Sequence, residues 1–325
     1  MRPLWKDILI SLFMGMVVPW MVLNFAAALL EEEPEIPETL PQVQETVPET
    51  VHLPMLLRLS DGSTREMDMD DYLVRVVLAE MPASFETEAL KAQAVVARTY
   101  TRRAYTTGGK HGDGSICTDP ACCQAYITEA DYLAKGGTEE SIEKIKAAVA
   151  ASSGYVLTYE GALIEATYFS CSGGRTEDAA AVWGTDYPYL QSVESPGEEN
   201  AAHYTDTISY DAERLEALLG LDSSRLGAVT YTEGGGVDTI VIGGTEFKGT
   251  ELRRLLGLRS TAFTLTREGD TITITTKGYG HRVGMSQYGA DAMAVSGSSF
   301  EEILAYYYQG TQLIRLEIDE SGEMR

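Results

Sequence analysis

Positive charge is what this 325-residue chain has least of: 25 Lys and Arg stand against 49 Asp and Glu, a formal net charge of −24. That balance excludes nucleic acid as a partner, because phosphate binding needs clustered Lys and Arg. The plain use of the acidity is solubility. Cysteine is nearly absent, at four residues, so any thiol chemistry is confined to a few positions. No internal repeat is visible.

Charge of either sign is missing between Asp7 and Glu31. The apolar run 8–30 is 23 residues long. As a helix it rises ~34 Å, enough to cross a bilayer with some tilt. Arg2 and Lys6 precede it and acids follow it, so the positive-inside rule puts the N-terminus in the cytoplasm and the rest outside. A cleavable signal peptide is the rival, with Ala26, Ala27 and Ala28 as a small-residue cleavage site; the length of the run favours an uncleaved anchor. Residues 31–53 lack Lys and Arg altogether. They hold seven Glu and four Pro, a composition that stays extended and serves as a spacer. Three segments result: a cytoplasmic stub and transmembrane anchor at 1–30, an acidic linker at 31–53, and a folded extracytoplasmic part at 54–325. A hydrophobic content of 44% is ample for a core there.

Within the folded part the pattern predicts a strand at 55–59 and a helix at 72–80 capped by Asp70 or Asp71 and stopped by Pro82. A longer helix opens at Ser84 or Glu86 and runs to about Tyr105. A Gly, Cys and Pro-rich loop covers 108–124, followed by a helix at 139–152 with Gly154 as C-cap. A hairpin turns at Glu160-Gly161, with strands 155–159 and 162–170. Residues 200–278 read as a smaller α+β lobe. Ser299 and Glu302 form a capping box for a last helix, and 311–318 a final strand. The mixed order implies an α+β fold of helices and antiparallel strands in two lobes, preceded by one transmembrane helix.

One carboxylate is misplaced by pattern. Leu73, Val76, Val77 and Glu80 fall on a single helical stripe. Burial there disfavours the charged form, as a glycosidic general acid requires. The alternative is a helix-end Glu that reaches solvent or pairs with Arg75. In the loop, His111, Cys117, Cys122 and Cys123 place four soft or borderline ligands within thirteen residues. They suit a closed, structural Cys₃His Zn²⁺ site. The rival is a disulfide from Cys117 to Cys122 or Cys123. Cys171 stands alone as a buried small residue or one half of a disulfide.

The segment from Tyr72 to Phe85, with Glu80-Met81-Pro82 at its heart, continues through Glu88, Lys91, Gln93 and Ala97-Arg98-Thr99-Tyr100. It resembles the signature of the stage II sporulation protein D family, also described as the sporulation protein D/LytB domain. Ala166–Ser170 with Ser172-Gly173-Gly174, then Trp183-Gly184, Pro188-Tyr189-Leu190 and Ser192–Pro196, resemble its second block. Gly278-Tyr279-Gly280-His281 and Val283–Ala290 resemble its third. The resemblance spans about 55–313.

What the resemblance implies is a peptidoglycan lytic transglycosylase acting on glycan strands stripped of stem peptides, with Glu80 as its catalytic glutamate. Most glycosidases need two carboxylates. Here the muramic acid C6 hydroxyl is the nucleophile, so one suffices. The resemblance also implies endospore engulfment, beside a membrane scaffold and a cell-wall amidase. Some members hold zinc at the loop with a His and two Cys; Cys122 stands where they have a second His. Lys91, Arg98 and Arg102 share a helix face and are candidates for the lactyl carboxylates, or a solvated basic face pairing with Glu88. Tyr168, Ser170, Ser172 and Gly173, with His281, Ser286, Gln287 and Tyr288, supply the hydroxyls, amides and rings that sugar recognition needs. Arg282 departs from the family's usual Gly and puts an extra cation at the cleft edge. Two other functions remain: a non-catalytic glycan-binding module that activates an amidase, and a zinc hydrolase, which needs an open coordination position that four ligands do not leave.

Overall fold

A computed structural model describes residues 52–202, 204–222 and 225–316. The apolar run 8–30 and the acidic linker up to residue 51 lie outside the described residues, as does 317–325. Among the described residues no helix is long and apolar enough to cross a membrane.

The chain enters as an antiparallel hairpin, β1 (Pro54–Arg58) and β2 (Thr64–Asp68). Asp68 then caps helix α1 (Met69–Glu80), its carboxylate accepting the amides of Asp70 and Asp71. The helix therefore starts three residues earlier than its pattern suggests, and Asp70 is freed for another task. Leu73, Val76 and Val77 are fully buried, as their spacing predicts. Helix α2 (Thr87–Thr107) is 21 residues, roughly 30 Å. It is buried on most sides, and Ala89, Ala92, Ala94 and Ala97 let neighbours approach closely. Glu86, not Ser84, precedes it, and Gly108 ends it in the left-handed conformation.

After α2 come β3 (Ile116–Cys117), a short helix α3 (Glu129–Ala134) that the pattern does not announce, and α4 (Glu139–Ala151). Ser152 rather than Gly154 ends α4. Strands β4 (Tyr155–Tyr159) and β5 (Ala162–Leu163) pair around Glu160-Gly161, both at positive φ, the hairpin geometry expected. The predicted strand 162–170 is broken, however. Its later part, β6 (Tyr168–Phe169), leaves the hairpin to pair elsewhere. Helix α5 (Ala179–Trp183) follows.

Residues 205–277 carry a buried cluster of their own, including Leu215, Ile240, Ile242, Leu252, Ile272 and Ile274. They build two three-stranded antiparallel sheets. One contains β7 (Thr205–Asp211) with, from later in the chain, Phe263–Glu268 and Thr271–Lys277; helix α6 (Ala212–Leu219) packs beside it. The other contains β8 (Leu226–Tyr231), β9 (Val237–Ile242) and β10 (Thr245–Lys248), followed by α7 (Gly249–Leu256). With β11 (Phe263–Glu268) and β12 (Thr271–Lys277) the lobe closes. The chain then returns to the larger core through β13 (Met285–Ser286), parallel to β6, and helices α8 (Gln287–Val295) and α9 (Phe300–Tyr307) against α2. The Ser299/Glu302 capping box forms as predicted. Strand β14 (Gln312–Arg315) ends antiparallel to β4. The fold is mixed α+β with mainly antiparallel sheets.

Arg98 corrects the sequence reading. It was expected to face a glycan carboxylate, yet its side chain is fully buried. Its Nη2 and Nε donate to Asp70 Oδ1 at 2.8 and 3.2 Å, and Nη1 donates to the Ser152 carbonyl at 2.7 Å. Asp70 Oδ2 accepts the Ser153 hydroxyl at 2.5 Å. One guanidinium thus joins α1 to α2 and caps the C-terminal end of α4, where the helix dipole favours a cation. Arg98→Leu leaves Asp70 buried without its partner. Urea unfolding should show a loss of about 3–5 kcal/mol relative to the wild type.

Candidate active site

Glu80 is the last residue of α1. Met81 takes an extended conformation at the C-cap and Pro82 follows, so the apolar stripe ends where the chain leaves the core. Glu80 is accordingly half-buried rather than enclosed. It lines a cleft of about 900 Å³, together with Tyr168, Ser170, His281, Gln287 and residues of the cysteine loop.

The carboxylate is held by one oxygen. Oε1 accepts the Ala125 amide at 2.9 Å and the Tyr168 hydroxyl at 3.1 Å. In the second of these bonds the Tyr168 hydroxyl is the donor, so its proton points at Glu80. The Tyr168 oxygen then accepts Nε2 of Gln124 at 3.2 Å. Gln124 in turn takes the hydroxyls of Thr101 and Tyr72 on its carbonyl at 2.9 and 3.3 Å. Burial, reinforced by the charge of Glu80, pushes Tyr168 well above its ordinary range, so it remains a proton donor. Oε2 has no hydrogen-bond partner among the described residues, which leaves it for a ligand in the cleft.

The other sequence-predicted residues divide sharply. Tyr168, Ser170, His281 and Gln287 reach the cleft. Lys91 does not line it; it pairs with Glu88 at 2.6 Å and sits over the Phe300 ring. Ser172 and Gly173 are also absent from it. Their amides and the Ser172 hydroxyl donate to Oε2 of buried Glu198 at 2.7 to 3.0 Å, so this Gly-rich turn cradles a protein carboxylate instead of a sugar. Ser286 is buried as the N-cap of α8, and Tyr288 packs edge-on against Phe85. Arg282 is no cleft-edge cation. It is 2% exposed and pairs with Glu177 at 3.0 Å. It also donates to the carbonyls of Ser172, Arg175 and Gly234. Its φ of 68° is left-handed, a cost for any residue but Gly, here offset by that set of bonds.

His111, Cys117, Cys122 and Cys123 converge. Their ligand atoms all lie within 4.8 Å of one another. His111 Nε2 is 3.6 Å from Cys123 Sγ and 3.8 Å from Cys122 Sγ, and the two sulfurs are 3.8 Å apart. Bond lengths of 2.0–2.3 Å to a tetrahedral zinc would give edges of roughly 3.6 and 3.8 Å, so the donors fit such an ion. None of the four cysteines is in a disulfide. Cys171 is buried and its thiol donates to Glu198, apart from this cluster. Two residues beyond Cys123 comes Ala125, whose amide holds Glu80.

A family profile described as Stage II sporulation protein matches residues 60–159. The chain is 40% identical over 309 residues to Stage II sporulation protein D of Bacillus subtilis (strain 168), covering 92% of this chain and 90% of that protein. The chain belongs to the stage II sporulation protein D family. The protein of the same name from Bacillus amyloliquefaciens is 37% identical over the same shares. The Amidase enhancer of Bacillus subtilis (strain 168) is 31% identical over 73% of this chain, which matches 39% of that longer protein.

In this sporulation protein D family member, several cleft residues carry no sequence signal of their own. Lys110, Gln124, Glu165 and Tyr187 line it beside Tyr100, Trp183 and Tyr279, which belong to the motif blocks. Gln124 was findable only by its place after the cysteines. Glu165 is a second cleft carboxylate, but Arg103 holds it at 2.5 Å. His281 lies in the wall against Trp183 and Phe169. Its Nδ1 accepts the Val283 amide at 3.1 Å. Burial, then the charge of Arg253, lowers it to about 4, so it is a neutral wall residue near pH 7. An unfolded His titrates near 6.5. Between about 6.5 and 4 the unfolded chain therefore binds the extra proton, and stability falls as pH falls. Thermal unfolding should show this loss, at most roughly 3 kcal/mol from this group, and His281→Gln should flatten the slope over that window.

Proposed function

We propose that this protein is a peptidoglycan lytic transglycosylase that cleaves glycan strands stripped of stem peptides during endospore engulfment. The observation that carries the reading is a cleft with one available carboxylate: Glu80 has one oxygen fixed by two donors and the other open, while Glu165 is tied to Arg103. A hydrolase of the usual two-carboxylate kind lacks its second group here. Glu80 Oε2 protonates the glycosidic oxygen, and the bond from that oxygen to muramic acid C1 breaks. The C6 hydroxyl of the same sugar bonds to C1 and returns its proton to Glu80. The strand ends in a 1,6-anhydro ring and no water is consumed. Tyr168 and the Ala125 amide steady the carboxylate through both transfers, and the Trp183, Tyr187 and Tyr279 rings offer faces for sugars.

The loop at His111, Cys117, Cys122 and Cys123 is proposed to hold one structural Zn²⁺. Four protein ligands fill a tetrahedral sphere, which disfavours a zinc hydrolase. The ion would hold the segment that carries Gln124 and Ala125 against Glu80. The apolar run 8–30 is proposed to anchor the chain, with residues beyond it outside the cytoplasm. A cell-wall amidase that strips peptides first and a membrane scaffold are the proposed partners. The similarity to an amidase enhancer favours one second reading, a glycan-binding module that stimulates an amidase without cleaving.

Peptide-free glycan strands separate the two. The wild type should release fragments ending in 1,6-anhydro-N-acetylmuramic acid, seen by mass spectrometry. Glu80→Gln should bind the strands and lower that product at least 10²-fold. Intact strands with both proteins would leave the binding module as the better account. Metal analysis should find one zinc per chain. Chelation or Cys123→Ser should lower the melting temperature and the protection of the Ala125 amide in hydrogen exchange; no zinc and no change would remove the ion.

A further inference from the structure

Among the described residues that line the cleft, Lys110 is the only Lys or Arg, in a wall that also holds Glu80 and Glu165. It sits in the turn Gly109–His111, one residue before the metal-cluster histidine. Its ammonium donates to the Cys122 carbonyl and lies 6.0 Å from the centre of the Tyr100 ring. Neither contact neutralises it, and no carboxylate among the described residues pairs with it. Three other cations near the cleft are committed, Arg103 to Glu165, Arg259 to Asp206 and Arg282 to Glu177, and Arg253, whose charge reaches His281, does not line it. An ammonium has three donors, so after Cys122 is served two remain for whatever fills the cleft. In a chain of net charge −24, an unpaired cation at the mouth of such a site implies an anionic ligand.

We propose that Lys110 reads the lactyl carboxylate of a muramic acid bound next to the scissile bond, and so selects strands whose stem peptides have been removed. The inference rests on the transglycosylase reading of the same cleft. On a peptide-bearing strand that carboxyl is an amide, with no charge to offer. On a stripped strand it is an ionised α-alkoxy carboxylate, and a charge-assisted hydrogen bond to Lys110 becomes available. The turn that presents Lys110 is braced on both sides. Gly108 and Gly109 take left-handed backbone angles before it, and His111 joins the thiol cluster after it. The cation is therefore placed by the fold.

The test compares peptide-free strands with the same strands after conversion of their lactyl carboxylates to methylamides. The wild type should cleave the carboxylate strands with a kcat/KM about tenfold higher. Lys110→Met should lose that advantage by falling on the carboxylate strands alone, Lys110→Arg should keep most of it, and added salt should erode it in the wild type. Equal rates of the wild type on both strands, or an equal loss by Lys110→Met on both, would overturn the assignment. Binding to Glu80→Gln protein tests Lys110 without cleavage. If the wild type cuts neither strand, the transglycosylase reading fails, and equal affinity of Glu80→Gln protein for the two strands then overturns the Lys110 assignment separately.

Discussion

The buried pair of Asp70 and Arg98 is the constraint on which the larger core depends. Its polar atoms touch α1, α2, the end of α4 and the entry to β4. Removing such charges from water is costly unless every donor and acceptor is met, and here the carbonyls of Val149, Ser152 and Tyr155 complete the guanidinium's set. The pair admits one register of α1 against α2. Since α1 ends at Glu80 while α2 carries Thr101, that register decides where the carboxylate meets the Thr101–Gln124–Tyr168 chain.

A second constraint acts from the cysteine loop. The loop has little apolar content, and its four potential ligands converge. It delivers three things to the cleft at once: the Ala125 amide to Glu80, the Gln124 side chain to Tyr168, and Lys110 to the rim. One oxygen of Glu80 is thus held by two segments that meet only in the folded protein.

Buried Glu177 and Arg282 do for the smaller lobe what Asp70 and Arg98 do for the larger core. Glu177 accepts the Gly236 amide and the Thr232 hydroxyl, while Arg282 donates to the Gly234 carbonyl. The β8–β9 turn is thereby stitched to the segment that precedes β13. Tyr279 and His281, which line the cleft, come just before Arg282 in the chain. An arginine can occupy a left-handed position here because all three nitrogens of its head group are bonded, whereas a glycine would take the backbone shape and leave Glu177 without its cation.

Periodicity and punctuation were local matters, and the sequence by itself determined them. The stripe of Leu73, Val76 and Val77, the Glu160-Gly161 turn, the Ser299/Glu302 capping box and the proximity of His111 to the three loop cysteines all follow from short-range chemistry. Glu80 stood out because a carboxylate broke an apolar stripe. The tertiary structure alone decided which polar side chains face the cleft and which face the protein. Arg98, Ser172, Gly173, Ser286 and Arg282 looked like ligand groups because polar residues in Gly-rich or helical motifs carry the same signature in either role. Their partners, Asp70, Glu198, Ser170 and Glu177, lie from 25 to 116 positions away along the chain, and no local pattern encodes pairing over such separations. Lys110 and Glu165 were invisible for the converse reason, since a charge in a loop gains its meaning only from the walls around it.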